Sequence, residues 1–419
     1  MTLDRLAFAG VVTLIAFLAY GSQFLFRFMQ PYELEPSQLV IFNSLVICIW
    51  ITYGRACFTN AGFVSSEWNT NASVSSDAEV RWKKPRWCRK CEAFKPPRAH
   101  HCKICQRCIP KMDHHCPWII NCVSHRTFPH FFRFLLYSVA STAYLQYFIY
   151  VRAALVWEER NLPSYLGPSP AQMIFLFVFI VVNSVTLFLL AILLARNIWC
   201  LGANVTTIEG WEIERHNTLV YRSRKHGGYL EGPGGAKLRI KKQEFPYDIG
   251  IFQNIRQGMA GTPLLWLWPF AATPLNNSGL DFETNGFEDP SLSWPPPDPD
   301  RMLGPQDRNL FQHPFTHDKD STTNQERLDA FHRRQENDLR RFDCEPASRS
   351  VRRRFQKDNN SHNSHNDHSV TKLEGWRNSD GDRLNDFGVD EDTEFRGEDD
   401  LPLAELLRRR QSKLWLQSQ

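Results

Sequence analysis

The sequence predicts an α-helical polytopic membrane protein with four transmembrane helices, a loop-rich cytosolic domain dense in cysteine, and a disordered C-terminal tail. Three observations carry that prediction. Four apolar runs, each near the length that crosses a bilayer as a helix, lie within the first 195 residues. Seven of the eleven cysteines fall between positions 88 and 122, between the second and third runs. From about residue 271 the composition turns polar, Pro-rich and charged, too poor in apolar side chains to bury a core. The mean hydropathy of -0.39 averages these unlike halves and describes neither.

The first run, 6–26, holds 21 residues flanked by Asp4, Arg5 and Arg27. About 20 such residues cross a bilayer core with every backbone hydrogen bond made internally. A cleaved signal peptide is the competing reading, but the run is long for one and no small-x-small site ends it. The second run, 39–53, is short; its closeness to the first predicts a transmembrane hairpin entered after Pro36. Residues 55–130 form the soluble domain, with its core at 86–125. The third run, 134–151, is aromatic-rich and carries Ser138, Ser141 and Gln146, and the fourth, 171–195, carries Asn183, Ser184 and Thr186. Small and polar residues inside spans serve helix–helix packing. Four spans bring both termini to one side. Lys and Arg are dense in the 54–130 loop and sparse in the 27–38 and 152–170 loops, which predicts that the cysteine-dense domain and both termini are cytosolic. Thiolate metal ligands favour a reducing compartment, an independent argument for the same side.

Residues 197–270 form a cytosolic C-terminal region. It opens on Thr206-Thr207-x-Glu209, a capping-box pattern, and closes on an aromatic stretch, 244–270, that holds Asn254, Trp266 and Trp268. For Asn254 the plain expectation is a buried amide satisfying backbone groups. The tail, 271–419, contains Pro-rich, Asn/His-rich and acidic tracts, then a basic amphipathic stretch at 401–416 suited to a membrane or partner contact. A net charge of only +4 gives no footprint for nucleic acid.

The cysteine stretch reads Cys88-x2-Cys91, His100-His101-Cys102-x2-Cys105-x2-Cys108, Asp113-His114-His115-Cys116, then Cys122. Paired C-x2-C spacings with interleaved histidines suit tetrahedral zinc. Two such sites take eight ligands, so six cysteines and two histidines leave one cysteine and two histidines over. Spacing does not say which histidines bind metal. Cys116, beside Asp113 and His114, is the natural remainder: a thiol next to a base and an orienting carboxylate is an activated nucleophile.

With Pro117-Trp118 after Cys116 and Asn121 before Cys122, the whole pattern resembles the cysteine-rich domain of the DHHC protein S-acyltransferases, or palmitoyltransferases. The resemblance implies Cys88, Cys91, His101 and Cys108 on one structural zinc and Cys102, Cys105, His115 and Cys122 on the other. It implies Cys116 as the acylated nucleophile, with His114 as its base and Asp113 holding the imidazole. Thr207 and Glu209 would support the catalytic loop, with His100 offered as a partner for the glutamate. Asn254 falls in the matching place of a C-terminal element, and Trp118 would wall an acyl entrance at the membrane surface.

The implied activity moves a long-chain acyl group from acyl-CoA (palmitoyl-CoA) through acyl-Cys116 to cysteine thiols of cytosol-facing, membrane-associated proteins, regulating their membrane association and trafficking. Arg86, Lys95 and Arg98 are expected to meet CoA phosphates. Ser124 and Thr127 stand where many members carry Gly and Asn, and Ser124 is expected to cost backbone freedom. The short N-terminal spans and the run after the cluster resemble a fungal, endoplasmic-reticulum branch, with the Golgi membrane as the alternative location. A non-catalytic membrane-anchored zinc scaffold or RING-like adaptor leaves Cys116 unexplained. A zinc transporter would need acidic or His ligands in the spans, and the four runs contain none.

Overall fold

Among the described residues of the structure, a computed structural model, four helices are long and apolar enough to cross a membrane. The residues it describes are 2–65, 68, 86–161, 163, 167–232, 237–287, 294–296, 298–301, 376–390 and 394–395. The first span joins α1 (Thr2–Ala16), a π-helical turn (Phe17–Gly21) and α2 (Ser22–Phe26). The second is α3 (Pro36–Phe58), which starts with Pro in its first turn and the Gln38 side chain accepting from the Glu35 amide. The third and fourth are α4 (Phe128–Glu158) and α5 (Pro170–Ala203). These outrun the expected 39–53, 134–151 and 171–195. The apolar pattern stops at charged residues, whereas the helices continue because those residues find partners. Arg133 of α4 donates to the Trp266 carbonyl at 2.7 Å, and Arg152 to the Tyr32 carbonyl at 2.6 Å.

The bundle buries two apolar layers. One joins Leu18, Phe26, Phe42, Val46, Phe148, Ile149 and Phe179. The other holds Tyr53, Ala56, Phe131, Leu135, Leu194 and Leu201 together with Cys116. Phe8 of α1 stacks on Tyr53 near the end of α3, so the first span begins at the end of the bundle where α3 stops and α4 starts. Amides tie the helices: Gln23 pairs with Asn43 across α2 and α3, and Asn183 of α5 donates to the Thr142 carbonyl and Gln146 of α4. On α5, Phe175, Phe177, Phe188 and Leu189 point outward, the face a bilayer would cover.

Between α3 and α4 lie three short antiparallel hairpins: β1 (Arg86–Cys88) with β2 (Ala93–Lys95), β3 (His100–Cys102) with β4 (Arg107–Ile109), and β5 (His114–Cys116) with β6 (Asn121–Val123). After α5 come α6 (Thr207–Arg224), the paired strands β7 (Tyr229–Glu231) and β8 (Lys237–Arg239), and α7 (Ile251–Met259). The chain divides into two compact units. The larger, Met1–Tyr229, Arg239–Asp298 and Trp376–Gln419, holds everything discussed below; the smaller is Leu230–Leu238 with Pro299–Gly375.

Two stretches depart from the expected tail beginning at 271. Residues 271–287 continue the packed region, with Phe282 buried. Residues 376–390 bury Leu384 and Val389 against Cys102, Ile109, Met112 and Trp211, and β9 (Glu394–Phe395) adds to β1. The segment supplies Trp376, Leu384 and Val389 at spacings no apolar-window argument detects. The amphipathic stretch at 401–416 lies outside the described residues.

Candidate active site

Strand alternation sorts the cysteine-rich stretch into its sites. Successive side chains of a strand point to opposite faces. In β3, His101 sits opposite Cys108 of β4, while the next residue, Cys102, turns to the other side. In β5, His115 sits opposite Cys122 of β6, and its neighbours His114 and Cys116 share the other face. Among the described residues, two groups then have ligand atoms within 4.8 Å of one another: Cys88, Cys91, His101, Cys108, and Cys102, Cys105, His115, Cys122. His101 Nδ1 lies 3.4, 3.3 and 3.9 Å from Sγ of Cys88, Cys91 and Cys108. His115 Nδ1 lies 3.7, 3.5 and 3.5 Å from Sγ of Cys102, Cys105 and Cys122. Zn–S and Zn–N bonds of about 2.3 and 2.0 Å give a tetrahedron edges of roughly 3.6–3.8 Å. Both clusters suit zinc in spacing and in donor chemistry.

The face of β5 that carries no metal ligand holds the remaining chemistry. Cys116 is buried in the same apolar layer as residues from α1, α3, α4 and α5. His114 shares this face of β5 with Cys116, and its Nδ1 lies 2.7 Å from Asp113 Oδ2. Burial alone would lower the His114 pKa; the Asp113 carboxylate and the Cys116 sulfur outweigh it and hold the imidazole up to about 10. For Asp113, burial opposes ionisation, but His114 and the Thr207 amide prevail and keep the carboxyl below its usual range.

The tetrapeptide after the fourth span explains the Thr207 amide. Thr206 caps α6: its hydroxyl accepts from the Glu209 amide, and its own amide donates to Glu209 Oε2. Thr207 is therefore the first residue of the helix, with an N–H that has no intrahelical partner. It donates to Asp113 Oδ1 at 2.6 Å, and its hydroxyl donates to the Asp113 carbonyl at 2.5 Å. Glu209 is held by Arg98, whose Nε and Nη2 reach its two oxygens at 2.5 and 2.7 Å. Arg98 also donates to the Asn204 carbonyl and lies between the rings of Tyr247 and Phe282, at 4.5 and 4.9 Å. The ion-pair partner of Glu209 is thus Arg98, where the sequence had offered His100.

This corrects the expectation that Arg86, Lys95 and Arg98 meet CoA phosphates. Arg98 and Lys95 are 4% and 3% exposed, and Arg86 donates to the Pro96 and Ala99 carbonyls inside the domain. Ser124 is not strained: its hydroxyl donates to the Ala61 carbonyl at 2.7 Å and meets that of Thr127 at 3.1 Å. Asn254 accepts from the Ile249 amide and donates to the Gly202 carbonyl and Asp248, tying α7 to the end of α5. Trp118 is exposed in the turn after Cys116, and its carbonyl accepts from the Tyr53 hydroxyl at 2.8 Å.

Sequence reasoning missed Asn121. It faces Cys116 across the β5–β6 ladder, and its amide donates to the Ala56, Cys57 and Thr59 carbonyls at 3.0, 3.3 and 2.7 Å. These are carbonyls at the end of α3, orphaned where a helix stops. One side chain therefore caps a membrane helix and docks the Cys116 hairpin on it. The only sequence signal was its place before Cys122.

Residues 82–214 match the family described as DHHC palmitoyltransferase. The chain is 51% identical over 423 residues to palmitoyltransferase pfa4 of Emericella nidulans, covering 98% of this chain and 97% of that one. Its identity to palmitoyltransferase pfa4 of Aspergillus fumigatus is 48% over 425 residues, 98% of each chain. To palmitoyltransferase PFA4 of Gibberella zeae it is 41% over 433 residues, 97% and 95% of the two. Four spans, two zinc-type clusters and relatives matched along nearly their whole length agree, and the chain belongs to the DHHC palmitoyltransferase family of protein S-acyltransferases.

Proposed function

We propose that Cys116 is the acyl-carrying nucleophile, that His114 takes and returns its proton, and that Asp113, held by Thr207, fixes the imidazole. The single observation that carries this reading is the position of Cys116, on the same face of β5 as His114 and set in an apolar layer among four spans. Cys116 gives its proton to His114, and the thiolate attacks the thioester carbonyl of a long-chain acyl-CoA. The carbon–sulfur bond to CoA breaks, CoA leaves as thiol with the proton from His114, and acyl-Cys116 remains. In the second half a cysteine of the protein substrate passes its proton to His114 and attacks the acyl-Cys116 carbonyl. Cys116 then leaves with that proton, and the enzyme is restored.

Zinc, when bound, supplies cross-links rather than an open coordination position, since each cluster already offers four protein ligands. Those ligands hold hairpins that have little apolar core of their own. The acyl chain would lie among the apolar residues around Cys116, with Trp118 at the membrane surface. The substrates are membrane-associated proteins whose cysteines face the cytosol. The density of Lys and Arg in the 54–130 loop supports a cytosolic site and cytosolic termini. Resemblance to the fungal branch supports the endoplasmic-reticulum membrane over the Golgi.

The test is incubation of the purified protein with a clickable palmitoyl-CoA analogue, comparing wild type with Cys116→Ser and Cys116→Ala. The expected result is a hydroxylamine-labile adduct on wild type alone. Equal labelling of all three would move the nucleophile elsewhere.

A further inference from the structure

The stretch 376–390, with β9 (394–395) after it, is separated from the cysteine-rich region by more than 250 residues of sequence, yet it packs along it. Its contacts form a continuous line. Trp376 stands edge-on to Trp211 of α6 at 4.9 Å. The Ser379 amide donates to Glu214 of α6 at 2.6 Å, and Trp211 Nε1 donates to the Asp382 carbonyl. Leu384 and Val389, each 2% exposed, enter the core that contains the zinc-type ligands Cys102 and Cys122. Val389 bridges Cys102; the Lys103 amide donates to the Gly388 carbonyl at 2.9 Å, and the Asp390 amide to the His101 carbonyl at 3.0 Å. The backbone of β9 then pairs with β1, Glu394 opposite Cys88. Main-chain bonds from this segment thus fall beside ligands of both clusters, and at β9 they add a strand to a sheet edge.

Charge and shape are matched as well. Positions 376–395 carry seven acidic and two basic residues. Lys90 Nζ reaches Asp390 at 2.6 Å, and Lys103 Nζ reaches the Asn385 carbonyl and amide oxygens at 2.8 and 2.7 Å. Gly388 has a φ of +84°, and a Cβ there would stand 2.8 Å from Cβ of His115. Only glycine allows the segment to close so tightly over a ligand of the second cluster.

We propose that the cysteine-rich domain carries a docking groove for an acidic segment, that residues 376–390 of the same chain together with β9 are its occupant, and that occupancy seals the two zinc sites against loss of metal. The proposal rests on the zinc reading of the two clusters. The covered backbone and His115 are what a chelator or competing thiol would have to expose to extract the ion. Tethering makes binding intramolecular, so modest intrinsic affinity keeps the groove filled.

The test uses purified full-length protein, a chain ending at residue 375, and full-length Gly388→Val. Zinc content is measured first by elemental analysis, then zinc release to a chromophoric chelator is followed in time. Binding of a labelled synthetic peptide of residues 376–395 is followed by anisotropy. All three proteins are expected to start with two zinc ions per chain. The shortened chain and Gly388→Val should release zinc at least tenfold faster, and the peptide should bind both, bind wild type far more weakly, and restore slow release. A scrambled peptide should do neither. Unchanged release in Gly388→Val, or no peptide binding by either variant, would overturn the proposal. Absence of zinc from wild type would defeat the zinc reading instead, and peptide binding would still decide whether the groove exists. Gly388→Val keeps the test valid should the shortened chain not fold.

Discussion

Replacing Glu209 with Gln tests whether the pair it forms with Arg98 holds α6 against the catalytic loop. The two side chains are 3% and 1% exposed, and Gln preserves shape and the capping contact to the Thr206 amide while removing the charge. Arg98 is then left as a buried cation without its counter-ion, a loss of about 3–5 kcal/mol. At roughly 2–4 °C per kcal/mol, the melting temperature of the purified protein should fall by roughly 6–20 °C. Arg98→Met paired with Glu209→Leu removes both charges together, so the double variant should cost much less than the two single changes added. The assay is thermal unfolding in detergent for wild type, Glu209→Gln, Arg98→Met, Glu209→Leu and the double, with acyl-Cys116 formation measured in parallel. Acylation should fall with stability, because the same helix start grips Asp113 through Thr207. A Glu209→Gln protein within about 1 kcal/mol of wild type, or fully additive singles, would refute the argument.

Further outcomes follow from the same geometry. His114→Gln should slow acyl-Cys116 formation by about 10²–10⁴-fold, as loss of a positioned acid–base group does. His114 is held up to about 10 against an ordinary value near 6.5, so its charged form contributes stability fully below about pH 6.5. The stability gap between wild type and His114→Gln should therefore close as pH rises through about 10, measured by melting temperature at each pH. Asn121→Ala should cost about 1–3 kcal/mol by leaving α3 carbonyls without a donor. Asn121→Asp, which cannot donate, should show the same loss and the same slowing of Cys116 acylation.

What the sequence revealed depended on whether a residue's task is local. The spans were legible because about 20 apolar residues in a row have few other uses, but their ends were not. Arg133 and Arg152 break the apolar pattern and are satisfied by carbonyls of Trp266 and Tyr32, distant in sequence. The ligand residues were legible as a set, since C-x2-C spacing is itself the metal knuckle. Arg98 and Asn121 were not, because an Arg in a basic loop reads as a solvated charge until Glu209 is brought to it by the fold. The 376–390 stretch was hidden for the same reason. Its apolar anchors are sparse, and they stabilise only against a surface made by the cysteine-rich hairpins and α6.

The arrangement of β5 shows why a run of four residues can serve metal and chemistry at once. Asp113, His114, His115 and Cys116 are consecutive, so no loop of arbitrary shape would separate a zinc ligand from a base. A strand does so through its period of two: His115 turns toward Cys122 and the metal cluster, while His114 and Cys116 turn together toward the bundle. A one-residue slip of the β5–β6 register would exchange those faces. Two features pin the register. His115 and Cys122 must meet across the ladder to share a metal, and Asn121, opposite Cys116, is fastened to the end of α3. Metal binding and the placement of Cys116 are therefore the same structural requirement. With Cys116 as the proposed nucleophile, zinc would influence acyl transfer by fixing which way a strand faces, without needing contact with any reacting atom.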